Sequence, residues 1–345
     1  MLPRIRPFLA ACAAVVLPFA STVRNDADVQ TLSAVDAVPA HLANQFEDPI
    51  AFAVATTGQY LVLDRRTHAV YSLDAAKKAA TKMLTVGFEA GRVLSPSTLS
   101  LAANDIFAVS DAPNGYERIQ FFGLDGLMIG GFYLDERRPL SGRLLHNAVI
   151  MSGVGSMTFT GRTFLVNNPD SGALITEFDN HGGVTRHVGT LRRTGHESDR
   201  DVHLAMNVGV PLADPRGGFY VVFQAGVPAF RKYDANGQLL FERHIEGTEL
   251  DGKIQTLPTT WARRETASGR LPLVEPLVRT AAVDGSGRLW ISLVLPFTYV
   301  YDGSGEKIRT VRFASASGTI APTSLFFSQT GRLLVTPGLY EFDAR

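Results

Sequence analysis

The sequence predicts an all-β protein, a six-bladed β-propeller of four-stranded antiparallel blades whose ring is closed by an N-terminal strand. Three observations predict it. First, an aromatic or apolar pair followed by Asp, and usually by Gly or Asn, recurs six times in the 345 residues. Its aspartates, Asp74, Asp125, Asp179, Asp234, Asp302 and Asp343, lie 51, 54, 55, 68 and 41 residues apart, the spacing expected of propeller blades. Second, strand-forming runs alternate with Gly, Asp and Asn turns inside every copy. Third, the last copy holds only three strands, near Ser324–Phe327, Arg332–Thr336 and Leu339–Phe342. Val29–Val38 is expected to supply its outer strand and so hide two sheet edges.

The copies share one internal order. In the fifth, a strand at Thr280–Val283 leads through Asp284-Gly285-Ser286-Gly287 into Arg288–Leu293, then Phe297–Tyr301, then Lys307–Phe313. The first reads Ile50–Ala55, Gln59–Leu63, a loop at Asp64–His68, then Ala69–Leu73. One meander cannot bury both of its faces, so blades must stack until the ring closes. The aromatics before the repeated Asp (Tyr71, Phe178, Tyr233, Tyr301 and Phe342) are expected in the core. Beyond residue 27 no segment shows a sustained helical period, apart from a turn or two near Asp74–Lys82.

Hydrophobic residues make up 45% of the chain and charged residues 19%, which suits a large core rather than disorder. There are 33 basic and 33 acidic side chains, and 30 against 32 once residues 1–27 are set aside. That balance excludes the basic footprint of a nucleic-acid-binding protein. The paired arginines (Arg65–Arg66, Arg137–Arg138, Arg192–Arg193 and Arg263–Arg264) fall in loops and read as solvated surface.

Residues 1–27 read as a signal peptide or N-terminal anchor, and residues 28–345 as a single propeller domain. Arg4 and Arg6 precede the apolar run Pro7–Ala20, which is short for a membrane span and is followed by polar residues. Leu9-Ala10-Ala11-Cys12 resembles a bacterial lipobox, although a second apolar stretch, Ala13–Ala20, follows it. The expected location is periplasmic or secreted, with membrane contact only through this segment if it stays uncleaved or is lipidated. Cys12 is the single cysteine, so cleavage would leave a chain without thiols or disulfides.

Val109–Gly126 contains Asp111, Asn114, Arg118-Ile119 and a closing Asp125-Gly126. In this order it resembles an NHL repeat. Leu61–Asp74 is similar, with Ala69 in place of the arginine, and Val283–Ile291 resembles the strand–turn–strand of NHL-like six-bladed propellers. The third, fourth and sixth copies lack the Arg-Ile pair. The resemblance implies a binding site on the face where the loops between second and third strands meet the blade-to-blade connections. It also brings in the related lactonases, which hold calcium in the channel through acidic and amide oxygens.

The loops expected on that face are Asp64–His68, Asp111–Glu117, Asn167–Ser171, Gln224–Pro228, Leu295–Pro296 and Thr336–Gly338. Candidate ligand-binding residues in the polar loops are Asp64, Arg66, Asp111, Tyr116, Asn167, Asn168 and Asp170. Two long connections, Leu191–Ala205 and Gly247–Arg279, add His196, His203, Trp261 and Arg263 as elements of a lid. Asp64, Asp111, Asn167, Asn168 and Asp170 have the right chemistry for calcium, and equally for structural turns. His196 and His203 are seven residues apart, the wrong spacing for a helical zinc pair. Asp284–Gly287 and Asp302–Gly305 read as hairpin turns rather than calcium loops. No nucleophile elbow, dinucleotide fingerprint or phosphate loop occurs. The expected function is therefore binding of a protein, peptide, glycan or small molecule at the loop face, with no cofactor and no catalytic residue assigned. The alternative is a calcium-dependent hydrolase or lyase of the lactonase-like kind.

Overall fold

A computed structural model describes residues 29–134, 144–146, 149–151, 156–266 and 269–344. The chain opens with β1 (Val29–Ala37) and one helical turn, α1 (Ala40–Ala43). The first four-stranded sheet follows as β2 (Pro49–Val54), β3 (Tyr60–Asp64), β4 (Ala69–Leu73) and β5 (Ala80–Leu84). The second is β6 (Thr98–Leu101), β7 (Phe107–Asp111), β8 (Arg118–Phe122) and β9 (Met128–Tyr133). A hairpin, β10 (Leu144–His146) and β11 (Val149–Met151), precedes the third, β12 (Met157–Phe159), β13 (Phe164–Asn167), β14 (Ala173–Phe178) and β15 (Val184–Thr190). After α2 (Arg200–Met206) comes the fourth, β16 (Gly209–Ala213), β17 (Phe219–Phe223), β18 (Ala229–Tyr233) and β19 (Leu239–His244). Then come α3 (Thr248–Gln255) and the hairpin β20 (Arg263–Thr266) and β21 (Gly269–Pro272). A further meander, β22 (Val278–Val283), β23 (Leu289–Leu293), β24 (Thr298–Tyr301) and β25 (Lys307–Ser315), precedes β26 (Gly318–Ile320). The last strands are β27 (Ser324–Phe327), β28 (Arg332–Thr336) and β29 (Tyr340–Asp343).

The arrangement is all-β and propeller-like, built from four-stranded antiparallel sheets. Six separate sheets were expected, and the hydrogen bonding differs. Among the described residues, four four-stranded sheets and the hairpins β10-β11 and β20-β21 are separate, while the remaining strands form one nine-stranded sheet ordered β22-β23-β24-β25-β1-β29-β28-β27, with β26 attached to β25. The joint is β1. Val29–Ser33 runs parallel to Thr310–Ala314 of β25, and Ala34–Ala37 then runs antiparallel to β29. The N-terminal strand thus supplies the outer strand missing beside β29, and it also straps that edge to the preceding meander. Parallel pairing across so long a sequence separation leaves no local signal.

The repeated Asp is explained by its turn. Asp179 Oδ1 accepts the N–H groups of His181 and Gly183, both at 2.8 Å. Asp234 and Asp302 accept from the residues two and four further on in the same way. A short carboxylate mimicking a backbone acceptor pins the tight turn from third to fourth strand. The preceding aromatics are buried, as expected: Tyr71, Phe178, Tyr233, Tyr301 and Phe342 all lie in the core. The stretch near Asp74–Lys82 holds a turn and the start of β5 rather than a helix, and α2 and α3 are helices without a sequence expectation.

Alternation with period two sends the buried middle strands to both neighbours. In β3, Leu61 and Leu63 join Phe107 and Phe122 of the second sheet, while Val62 joins Leu334 and Leu339 near the C-terminus. Phe121 and Phe132 pack on Phe164, and Phe219 and Val221 on Leu165 and Ile175. Tyr220 and Phe230 meet Leu289 and Ile291, and Trp290 and Val300 meet Leu333 and Phe342. The first strands also touch in order, β2 to β6, β12, β16, β22 and β27, and β27 returns to β2. The stack of apolar faces is closed.

One polar network seals that closure. Lys77, in the turn before β5, reaches Asp36 of β1 at 2.8 Å and also bonds Glu341 of β29. Its ammonium lies 4.8 Å from the Tyr60 ring centroid, and the Tyr60 hydroxyl donates to Glu341 at 2.7 Å. Burial alone would lower the Lys77 pKa, but the bonds to Asp36 and Glu341 outweigh it and raise it. The hydrogen bond from Lys77 in turn holds Asp36 below its ordinary value.

Deleting residues 29–37 is expected to lower the melting temperature by roughly 10 °C or more, because two edges are unpaired at once; an unchanged melt refutes the strap. Lys77→Met is expected to cost about 3 kcal/mol at pH 7, since it leaves the Glu341 carboxylate buried without its cation. The raised Lys77 value stabilises below the ordinary lysine pKa of 10.5 and is lost as pH rises through the folded value. The depressed Asp36 value stabilises above 3.8 and is lost as pH falls through the folded value. The gap in melting temperature between wild type and Lys77→Met should therefore be widest between those limits and narrow on either side.

Candidate functional site

Asp64, Asp111 and Asn167 end the second strands of the first three sheets, where each clamps a connection between sheets. The Asp64 carboxylate accepts the N–H groups of Glu47 (2.6 Å), Asp48 (3.2 Å), Arg66 (3.0 Å) and Thr67 (3.1 Å). Asp111 accepts Leu94 N–H at 2.9 Å and both arms of Arg118, Nε at 2.9 Å and Nη2 at 2.7 Å. Arg118 then donates to the carbonyls of Phe88 and Arg92 (2.8 and 2.9 Å). The Asp–Arg pair of the repeat is therefore a buried fastener for the incoming chain. Asn167 accepts Gly209 N–H at 3.1 Å and donates to the Leu174 carbonyl at 2.9 Å, tying the third sheet to the fourth.

The other candidates lie apart from these. Asn168 donates to the Thr176 hydroxyl at 3.4 Å, and Asp170 stands 4.0 Å from Arg200. Arg66 is exposed, 4.0 Å from Glu47, and Tyr116 is exposed as well. His203, on α2, meets the Thr194 hydroxyl through Nδ1 at 2.8 Å, while the His196 main chain turns back onto Thr194 and Asp199. Among the described residues, no group of three or more His, Cys, Asp or Glu is placed to hold a metal ion.

The two long connections fasten to each other. Asp199 caps α2 by accepting Val202 N–H at 3.3 Å. The same carboxylate takes Arg263 Nη2 on both oxygens, at 2.6 and 2.7 Å. Arg263 Nη1 adds Asp201 at 3.3 Å and the Arg270 carbonyl at 2.9 Å. The bond from Arg263 is the largest influence on Asp199 and lowers its pKa. Beneath this bridge, Trp261 packs on the cluster of Val202, Ala205, Met206, Val208, Ala225 and Val274.

A cavity of about 1200 Å³ runs along the ring axis, lined by residues of all six first strands. Toward the loop end its wall includes Asp48, Arg65, Ser97, Asn167, Gln224 and Arg279, and toward the other end Asp105, Asp214, Asp284 and Gln329. Of the candidates read from sequence, only Asn167 lines it. Residues 191–207 and 245–275 do not line it, so the fastened connections border the cavity only through Val208 and Pro276.

Wall charges are largely balanced. Asp48 meets Arg65 at 2.8 Å, Asp214 meets Lys232 at 2.9 Å, and Asp284 meets Arg288 at 2.6 Å. Burial raises the Asp214 pKa, but the bonds from Lys232 and Arg216 outweigh it, so the net shift is downward. Arg279 differs. It is the second residue of β22, where the other first strands carry Ile50, Leu99, Thr158, Val210 and Leu325. That contrast is the signal in the sequence, readable only once the strand starts are aligned.

No family model and no curated protein matches the sequence. Among solved structures, virginiamycin B lyase from Staphylococcus aureus, as an inactive variant with quinupristin, aligns at a TM-score of 0.50 and 11% identity, covering 85% of this chain and 78% of that one. The selenomethionine form of that lyase gives 0.49 and 10%, over 84% and 77%. A gluconolactonase from Xanthomonas campestris gives 0.48 and 14%, over 92% and 95%. At these identities the likeness concerns the fold alone.

Arg263→Ala is expected to release the two connections from each other while the sheets stay intact. Hydrogen exchange in α2 should accelerate at least tenfold, with a melting temperature within about 3 °C of wild type because the bridge is partly exposed. Unchanged exchange in α2 would show that the Trp261 packing suffices without the bridge.

Proposed function

We propose that the protein is an exported, six-bladed propeller that binds a small ligand in its axial cavity. The nine-stranded sheet counts in this reading as two blades sharing β1. Export rests on Arg4, Arg6 and the apolar run Pro7–Ala20. The observation that carries the binding reading is the cavity itself. Its volume, about 1200 Å³, is a little larger than the roughly 300–1,000 Å³ of small-molecule pockets and so has room for one, and its wall mixes apolar strand residues with a few polar groups. Asp64, Asp111, Asn167 and the Arg263 bridge then act as the rigid frame of the cavity mouth, with Arg66, Tyr116, Asn168, Asp170, His196, His203 and Trp261 on the surrounding face.

The calcium-dependent hydrolase or lyase reading would draw on Asp64, Asp111, Asn167, Asn168 and Asp170. Asp64 and Asp111 spend their oxygens on main-chain amides and Arg118, and only Asn167 of the five lines the cavity. The binding reading needs no further ligand set and is preferred.

A neutral fluorescent probe, N-phenyl-1-naphthylamine, is expected to bind with one-to-one stoichiometry. Val210→Trp, which fills space at the cavity wall, should weaken it at least tenfold while circular dichroism stays native. Equal binding by the folded variant would place the probe elsewhere and remove the cavity reading. Exhaustive chelation is expected to leave melting and probe binding unchanged; a loss of either on chelation, restored by calcium, would reinstate the hydrolase or lyase reading.

A further inference from the structure

Two charges of the cavity wall have no counter-ion among the described residues, the carboxylate of Asp105 and the guanidinium of Arg279. Asp48, Asp214 and Asp284 each have a basic partner, and Glu47 has Arg66 at 4.0 Å. Asp105 accepts the main-chain N–H of Thr56 at 2.9 Å and also its hydroxyl. Arg65 is paired with Asp48. Arg279 has no acidic partner among the described residues, and its one side-chain hydrogen bond runs from Nη2 to the Val294 carbonyl at 3.2 Å. Its Nε is buried without an acceptor.

A guanidinium carries five N–H donors. Here one is used, another is orphaned, and the group lies on the wall of a 1200 Å³ space. Burial pushes the Arg279 pKa down with no carboxylate close enough to offset it. The main chain that carries it is fixed, and the bond from Nη2 to Val294 ties the side chain back to the sheet. Gln224 donates from its side-chain amide to the Arg279 carbonyl at 3.2 Å, and the main chains of Leu277 and Val278 bond back to the Gln224 carbonyl (2.8 and 3.1 Å). A fixed, half-buried and uncompensated guanidinium is the usual receptor for a carboxylate, phosphate or sulfonate, whose paired oxygens match its fork.

We propose that the cavity takes a small organic anion, with Arg279 receiving its acidic group and the apolar wall, including Val210 and Leu325, receiving its body. This rests on the reading that the cavity is a ligand site. Asp48, Asp214 and Asp284 are neutralised in place, and Asp105, bonded to Thr56, stands toward the other end of the cavity, so an anion gains attraction at Arg279 without meeting an unpaired carboxylate beside it.

The test compares two probes of similar shape on the full chain. 8-Anilinonaphthalene-1-sulfonate carries a charge, whereas N-phenyl-1-naphthylamine does not. Arg279→Gln is expected to weaken the sulfonate at least tenfold and to change the neutral probe less than twofold. Arg279→Lys should recover part of the loss, and inorganic phosphate should compete with the sulfonate in wild type but not in Arg279→Gln. If the folded Arg279→Gln and Arg279→Lys proteins bind both probes as wild type does, the anion proposal falls and the cavity reading stands. If neither probe binds wild type, or Val210→Trp leaves both bound, the cavity reading falls and takes this proposal with it.

Discussion

Closure of the ring is the constraint on which the other features depend. A sheet whose second and third strands are buried on both faces, as in Phe107–Asp111 and Arg118–Phe122, must be covered on both sides. Covering each sheet with another ends only when the last meets the first. Here that meeting is made by Phe52 and Val62 against Leu334 and Leu339, and it is secured at the outer edge by β1. Lys77 joins β1 to β29 through a single ammonium, so the polar seal and the strand strap act at the same place. The seal is costly to break because Lys77 and Glu341 are both removed from water.

The cavity follows from closure. Six first strands facing an axis leave a space that their short side chains do not fill, and its wall is set by where each strand begins. Main-chain clamps decide those beginnings. Asp64 holds the chain at Glu47 and Asp48, Asp111 holds it at Leu94, and Asn167 holds Gly209. Gln224 performs the same task by donating its side-chain amide to the Arg279 carbonyl, while its main-chain carbonyl accepts from Leu277 and Val278. Polar side chains at equivalent strand ends thus spend their hydrogen bonds on architecture, and the one cation left without a counter-ion on the described wall is Arg279.

Much of the fold was legible from particular residues. The Asp–Gly and Asp–Asn phrases mark turns because a carboxylate two residues from a free N–H makes the same bond wherever it occurs. The aromatic before each Asp reads as core because period-two burial is local. The helices α2 and α3 were not legible: seven and eight residues are too few to show a sustained apolar period. The site was less legible still. Asp64 and Asp111 have ligand chemistry by type, and what they bind depends on which chain passes beside them. Arg279 looked like the last residue of a long connection, and its position on the cavity wall comes from the pairing of β22 with β23.

By itself the sequence determined an all-β chain of repeated four-stranded units, the turn chemistry within them, the aromatic core and the need for an added outer strand. These depend on contacts between residues close in the chain, and such contacts leave a period. Tertiary structure alone decided that β1 would strap two meanders into one sheet, that Lys77 would face Glu341, and that Arg279 would stand without a counter-ion. The strap joins Val29 to Thr310 and Ala34 to Phe342, 281 and 308 positions apart, and Lys77 lies 264 positions from Glu341. No local pattern carries such a distance, because the partners become neighbours only when the stack of apolar faces closes.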